Sequence, residues 1–297
     1  MSLMTDTQGT PTRVWSLISL LRAHDGELSR EDVKNWLDPF RTDTKGTAVQ
    51  NTVGAATSLD LVEFNSSTGT LRLLPNDLPD AMSGFADWVH ARLVATPPEH
   101  GNSVVLEAYA WFVARCAKEK GTNWIARENA DSLTENIRVD LTPEGEEGRF
   151  NKTRYPRWRD WVAFMGLGID LPTPRVQQFY PYMTSRLERE LEDLRGRFGI
   201  GKEISADAFL EAIAQRMPYA DNGELYRTAA TRIRWAVPPR QLSIVLSNAL
   251  RELDDDGALE LRMRGDAPNA VTLHYDPTQR TNAFVSVVLN PTEASDG

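Results

Sequence analysis

The stretch Lys45–Leu74 limits what this chain can fold into more than any other. Val49, Val53, Ala56 and Leu59 recur in it at helical spacing. Thr47, Gln50, Asn51 and Ser58 fall on the opposite face as small polar groups. Val62 and Phe64, a polar tip Asn65-Ser66-Ser67-Thr68-Gly69, and Leu71 and Leu73 then spell a β-hairpin. Two helices precede this pair. Thr10-Pro11 is a start signal, a capping hydroxyl followed by a first-turn proline, and Val14, Leu17, Ile18 and Leu21 form one apolar face. Ser29, with Asp32 three residues on, begins the second. Its apolar face is Val33, Trp36 and Leu37, and Pro39 stops it. His24 closes the first helix and reads as a group on its C-terminal dipole rather than as a catalytic one. Three short helices and a hairpin are the outline of a winged helix, predicted over residues 1–80. In that fold the third helix can enter a DNA major groove and the hairpin can touch the backbone. The same fold also docks proteins.

The pattern repeats over residues 201–297. Ser205–Met217 and Glu224–Trp235 are predicted helices, and Pro238-Pro239 starts a third that buries Leu242, Val245, Leu246, Ala249, Leu250 and Leu253. Arg240, Ser243, Ser247, Asn248 and Arg251 are read onto its exposed side. A second hairpin is predicted from Leu259, Leu261 and Met263, through a tip Gly265–Asn269, to Val271, Leu273 and Tyr275. From Leu225 to Arg251 there is no Asp or Glu, but there are five arginines, Arg227, Arg232, Arg234, Arg240 and Arg251; Arg262 and Arg264 add to them on the hairpin. In a chain of net charge −9 that local excess points to phosphate, or to a salt-bridged interface with an acidic patch. Asp254-Asp255-Asp256 reads as a solvated turn, though it opposes the dipole of the helix it follows. The tail Thr292–Gly297 reads as disordered.

Residues 81–200 form a helical middle. A helix over 80–94 is followed by a Pro-rich linker and a strongly amphipathic helix, Ser103–Lys120. Cys116 sits on the apolar stripe of the latter and reads as buried and inert. A short helix over Ser132–Val139 leads to an acidic, Gly-rich loop, Thr142–Gly148. Next comes the most basic stretch, RFNKTRYPRWRDW (Arg149–Trp161), with Arg149, Lys152, Arg154, Arg157 and Arg159. These cations either contact phosphate or pair with Glu144, Glu146 and Glu147 of the acidic loop. Tyr155, Trp158 and Trp161 have the spacing of a buried stripe, so core is the favoured reading over base-stacking platforms. The extended runs that follow, reaching Val176 and Met183, allow a third, degenerate winged helix, and Pro181–Phe198 reads as a connecting helix.

An acidic total, pI about 5.1, argues against a protein whose whole surface grips nucleic acid. One cysteine excludes an internal disulfide and fits a reducing cytoplasm. The first ten residues lack the apolar core of a signal peptide, and no run of about 18 apolar residues is available to span a membrane. His24, His90, His100 and His274 are far apart, and no His/Cys cluster has zinc spacing. There is no G-x-S-x-G and no E-x-K. Gly196–Glu203 has the outline G-x-x-x-x-G-K, but Glu203 replaces the metal-binding hydroxyl and a helix, not a strand, leads into it. No catalytic residue, metal or cofactor is therefore expected.

The opening TPTRVWSLISLLRAHDGELSREDVKNWLDP and the motif NKTRYPRWRDWVAFMGLG (Asn151–Gly168) resemble the tandem winged-helix proteins of bacterial defence clusters. The nearest resemblance is to the DpdG-type family of systems that insert 7-deazaguanine bases into DNA and restrict unmodified DNA. It implies an accessory protein working beside helicases and nucleases, with no known catalytic residue to carry over.

The reading is an α+β chain, mostly α, with tandem winged-helix domains around a helical middle. Double-stranded DNA is the expected partner, with arginines on phosphates and Gln50, Asn51 and Asn248 reading base edges. The alternatives are a protein–protein scaffold and a transcriptional regulator, the latter needing a two-fold dimer on a palindromic site.

Overall fold

The computed structural model describes residues 3–4, 8–40, 47–142, 148–172, 177–265 and 269–291. The acidic residues 144–147, Val176, the centre of the second hairpin tip (266–268) and the tail 292–297 lie outside these. Among the described residues the chain is mixed, with eleven α-helices and four small antiparallel sheets. It divides into two compact units, residues 1–105 with 130–165, and residues 106–129 with 166–297.

The first unit starts at the predicted signal. The Thr10 hydroxyl accepts the Arg13 amide at 3.4 Å and Pro11 opens α1 (Pro11–Arg22), which buries Val14, Leu17, Ile18 and Leu21. After β1 (Glu27–Ser29), Ser29 caps α2 (Arg30–Leu37) by accepting the Asp32 amide at 3.0 Å. Val33 of α2 is buried, but Trp36, expected inward, is 62% exposed. α3 (Thr47–Ser58) leads to β2 (Val62–Asn65) and β3 (Thr70–Leu73), which pair Val62 with Leu73 and Phe64 with Leu71. Gly69, at φ +71°, takes the left-handed turn between them at no steric cost. β1 adds to the other edge of β3, so the strand order is β1-β3-β2.

The rest of this unit is helical. It comprises α4 (Met82–Val94), the first turn of α5 (Ser103–Lys118), α6 (Ala130–Leu141) and α7 (Tyr155–Phe164). Trp158 and Trp161 of α7 are fully buried, as their spacing predicts. The Trp161 indole donates to the Gly9 carbonyl at 3.0 Å. Gly9 in turn lies against α3, where an added Cβ would stand 2.7 Å from the Ala55 Cβ and 3.0 Å from the Asn51 carbonyl. An aromatic of α7 thus fixes the segment on which α3 rests.

The second unit contains the remainder of α5, where Cys116 is buried and burial pushes its thiol up to about 12. A hairpin of β4 (Gly168–Pro172) and β5 (Gln177–Pro181) follows. Then come α8 (Thr184–Phe198), β6 (Glu203–Ser205), α9 (Ala206–Arg216), α10 (Glu224–Arg232) and α11 (Ile244–Asp255). The chain ends in β7 (Leu259–Arg262), β8 (Val271–Thr272), β9 (Ala283–Phe284) and β10 (Ser286–Leu289).

Here the sequence reading needs two corrections. The partner of β7 is β10, with Leu259 opposite Leu289, and not the run Val271–Tyr275. β8 instead pairs with β9 as a separate ribbon, Val271 opposite Phe284. The alternation of Val271, Leu273 and Tyr275 imitated a return strand. The true centre of the sheet is the continuous apolar run Val287-Val288-Leu289, buried on both faces as a central strand requires. The order β6-β10-β7 results. α8, read as a connector, packs on both α9 and α11. α11 begins at Ile244 rather than at Pro238, because Ser243 caps it and the preceding chain turns at Pro239-Arg240, with Arg240 at φ +58°, before Gln241 bridges to Thr272. The three aspartates close α11 instead of following it, Asp254 and Asp255 in its last turn and Asp256 as its cap, and Asp254 has a structural task, accepting the Leu261 amide of β7 at 2.9 Å.

Asp221 anchors the start of α11. Its carboxylate accepts the Ser243 amide and the Ser243 hydroxyl, both at 2.6 Å, while being almost fully buried. Burial outweighs these bonds and pushes the carboxyl up to about 6. An unfolded aspartate titrates near ~3.9, so the fold favours the protonated form. The stabilising contribution is complete below about pH 4 and is lost as pH rises through about 6. Asp221→Asn is therefore expected to flatten this fall. In urea unfolding at several pH values, the midpoint of the variant should gain on wild type between pH ~4 and ~6.5. A constant difference would contradict the shifted carboxyl.

Candidate nucleic-acid interface

Three groups of residues were predicted to meet DNA, and the structure treats them differently. On α3, Thr47 and Gln50 are exposed and Asn51 is half-buried. Thr47 and Asn51 have polar or electrostatic partners within the chain, whereas Gln50 makes no side-chain bond among the described residues. Ser58 is turned inward and donates to the Ala55 carbonyl at 2.8 Å. The hairpin tip beyond β2 is polar and exposed, with the Ser67 amide held by the Asn65 side chain at 3.0 Å.

Among the described residues, three cations of this winged-helix segment are ones the sequence reading passed over. Arg13 lines a cleft of about 470 Å³ with Ser16, Trp36, Asp38 and Thr52, at the junction of α1, α2 and α3. The Arg30 guanidinium lies 5.7 Å from the Phe64 ring on β2. Lys34 is exposed on α2. They were missed because charge was counted along the chain, where Glu27, Glu31 and Asp32 cancel them, and not over the folded surface.

The basic stretch is largely committed to its own unit. The Arg149 guanidinium donates to the Ser103 hydroxyl at 2.7 Å and to the Pro98 carbonyl at 3.1 Å. Lys152 pairs with Asp131 at 2.7 Å, and Arg154 donates to the Arg149 carbonyl. Arg157 pairs with Asp160, and the Arg159 guanidinium lies 5.7 Å from the Tyr155 ring. These are the contacts of a tied-down helix entry more than of a cationic surface.

On α11 the expected exposed face is mostly interior. Ser243, Ser247 and Arg251 are buried; among the α11 residues proposed, Asn248 is exposed. The β8–β9 ribbon covers this face. The Ser247 hydroxyl accepts the His274 amide at 2.8 Å, and the Arg251 guanidinium donates to the carbonyls of His274 (2.8 Å) and Thr281 (3.0 Å). Burial holds the Arg251 guanidinium below its usual range. Burial first, then the adjacent Arg251, holds His274 below the ordinary histidine value. Arg240 is exposed but tied to Asp207 at 3.0 Å. Arg262 pairs with Glu260 at 2.7 Å, and Arg264 with Glu203. Arg232 lies 3.9 Å from Glu107, and Arg234 is exposed.

No described cluster of His, Cys, Asp or Glu is placed to hold a metal ion, and no described helix is long and apolar enough to cross a membrane. In comparisons with known proteins, a family model described as DpdG-like matches residues 1–267. No curated protein and no solved structure gives a match.

Proposed function

The chain belongs to the DpdG-like family, and on that premise we propose that it is a non-enzymatic DNA-binding component of a bacterial DNA modification and restriction system. The observation that carries the reading is a repeated strand order. In the first unit α1, β1, α2 and α3 lead to a hairpin, and the sheet runs β1-β3-β2. In the second, α8, β6, α9 and α11 lead to β7 and β10, and the sheet runs β6-β10-β7. In both, the strand after the first helix pairs with the last strand. That is the order of a winged helix, and we read both units as containing one.

The two are not equivalent as readers of DNA. A helix must be bare to enter a major groove about 12 Å wide. α3 offers Gln50 and Thr47 on its exposed side, whereas α11 is roofed by its ribbon. The first unit is therefore the groove reader. Gln50 is suited to adenine through its paired donor and acceptor, and Arg13, Arg30 and Lys34 are suited to phosphates.

The test is a fluorescence-anisotropy titration of the full chain on a mixed-sequence duplex at two salt concentrations, beside Gln50→Glu. Binding that weakens steeply with salt, by counterion release, and on the order of tenfold or more in Gln50→Glu, supports the reading. Absence of binding at low salt contradicts it and favours a protein–protein scaffold, to which the uncharged face of α3 is also suited.

A further inference from the structure

We infer that α10, and not α11, is the nucleic-acid-binding element of the second unit, taking the phosphate backbone of duplex DNA on its outer face; this rests on the reading above. α10 is an added helix between α9 and α11, the two that correspond to α2 and α3. It seats Tyr226, Ala229 and Ala230 inward and turns Arg227, Thr228, Thr231 and, just past its end, Arg234 outward.

The arginines separate into two sets when their partners are followed. Arg240, Arg262 and Arg264 are each held by a carboxylate, and Arg251 by backbone carbonyls. Arg227 and Arg234 have no ion pair and no side-chain hydrogen bond among the described residues. Two exposed guanidiniums, one on α10 and one just past it, stay without an acid among the described residues although the chain carries 42 Asp and Glu against 33 Lys and Arg. Glu224 is the one acid on α10, and it sits in the first turn, where it complements the dipole.

Arg227 lies on α10, and Arg234 lies just past its C-terminus, turned out of the helical path at φ +54°. Thr228 is exposed in the sequence between them, while the Thr231 hydroxyl donates to the Arg227 carbonyl at 3.0 Å. The negative end of the α10 dipole would repel phosphate, but Lys118 donates to the Ile233 carbonyl there at 2.8 Å and offsets it.

The experiment is the duplex titration of the full chain across a salt series, comparing wild type, Arg227→Glu/Arg234→Glu and Arg227→Lys/Arg234→Lys. The glutamate pair is expected to weaken binding on the order of 10–100-fold and to reduce the salt slope by about 2, near 0.9 per lost phosphate contact. The lysine pair should keep most of the slope. An unchanged urea midpoint would show that the fold is intact. If wild type binds and Gln50→Glu weakens it while the α10 pair changes neither affinity nor slope, the α10 assignment is overturned and the first-unit reading stands. If wild type does not bind duplex, both fall.

Discussion

Trp158→Ala is expected to lower the stability of the protein by about 3–5 kcal/mol, measured by urea unfolding of the full chain. The side chain has no exposure, and its indole donates to the Val105 carbonyl at 2.9 Å. Its ring stacks against Tyr155 at 5.8 Å and meets Phe150 edge-on at 5.8 Å. Removing it opens a large cavity that these rings cannot close. The residue lies inside the most basic stretch of the chain, where aromatics between arginines invite a reading as base-stacking platforms. A stacking platform would lose affinity on truncation and keep its stability. A variant with wild-type stability and weakened duplex binding would therefore contradict the placement of Trp158 in the core.

Arg251→Glu is expected to destabilise by about 3–5 kcal/mol, as placing an uncompensated charge in a buried site does. The arginine is 4% exposed and binds two carbonyl oxygens of the ribbon that covers α11. A glutamate there would face those oxygens with like partial charge and no donor. Arg251→Met should do less harm, since it keeps the apolar stem and loses only the bonds. The surface change Arg234→Glu should shift stability by no more than about 0.5 kcal/mol. The contrast matters because charge reversal is the usual probe of phosphate contacts. Loss of binding in Arg251→Glu would report a released ribbon. Stability equal to that of Arg234→Glu would show instead that Arg251 is a surface residue.

Much of the first unit was legible because its signals are local. A capping hydroxyl before Pro11, Ser29 with Asp32, and a five-residue polar tip between alternating strands each fix a structure within a few residues. Trp36 escaped because an amphipathic pattern names a face without saying whether that face meets the core. The second unit was harder because its sheet is closed by β10, which lies some 25 residues beyond β7 and carries no turn signal linking the two. A nearer run, Val271–Tyr275, had the right alternation and the wrong partner. The same excursion hid the fate of the α11 face. Helical spacing places Ser247 and Arg251 opposite the buried leucines, yet a ribbon from outside the helix roofs them. The candidate cations followed the same rule. A run of basic residues along the chain became a set of internal bonds at Arg149, Lys152 and Arg154, while separated residues such as Arg227 and Arg234 stayed exposed.

The most direct test of the central claim, that this protein reads duplex DNA through α3, is amide hydrogen exchange of the full chain with and without a saturating mixed-sequence duplex. The account predicts added protection over α3 and the β2–β3 hairpin, with the covered face of α11 unchanged. Protection that spares α3 and falls on α11 and the β8–β9 ribbon would contradict it.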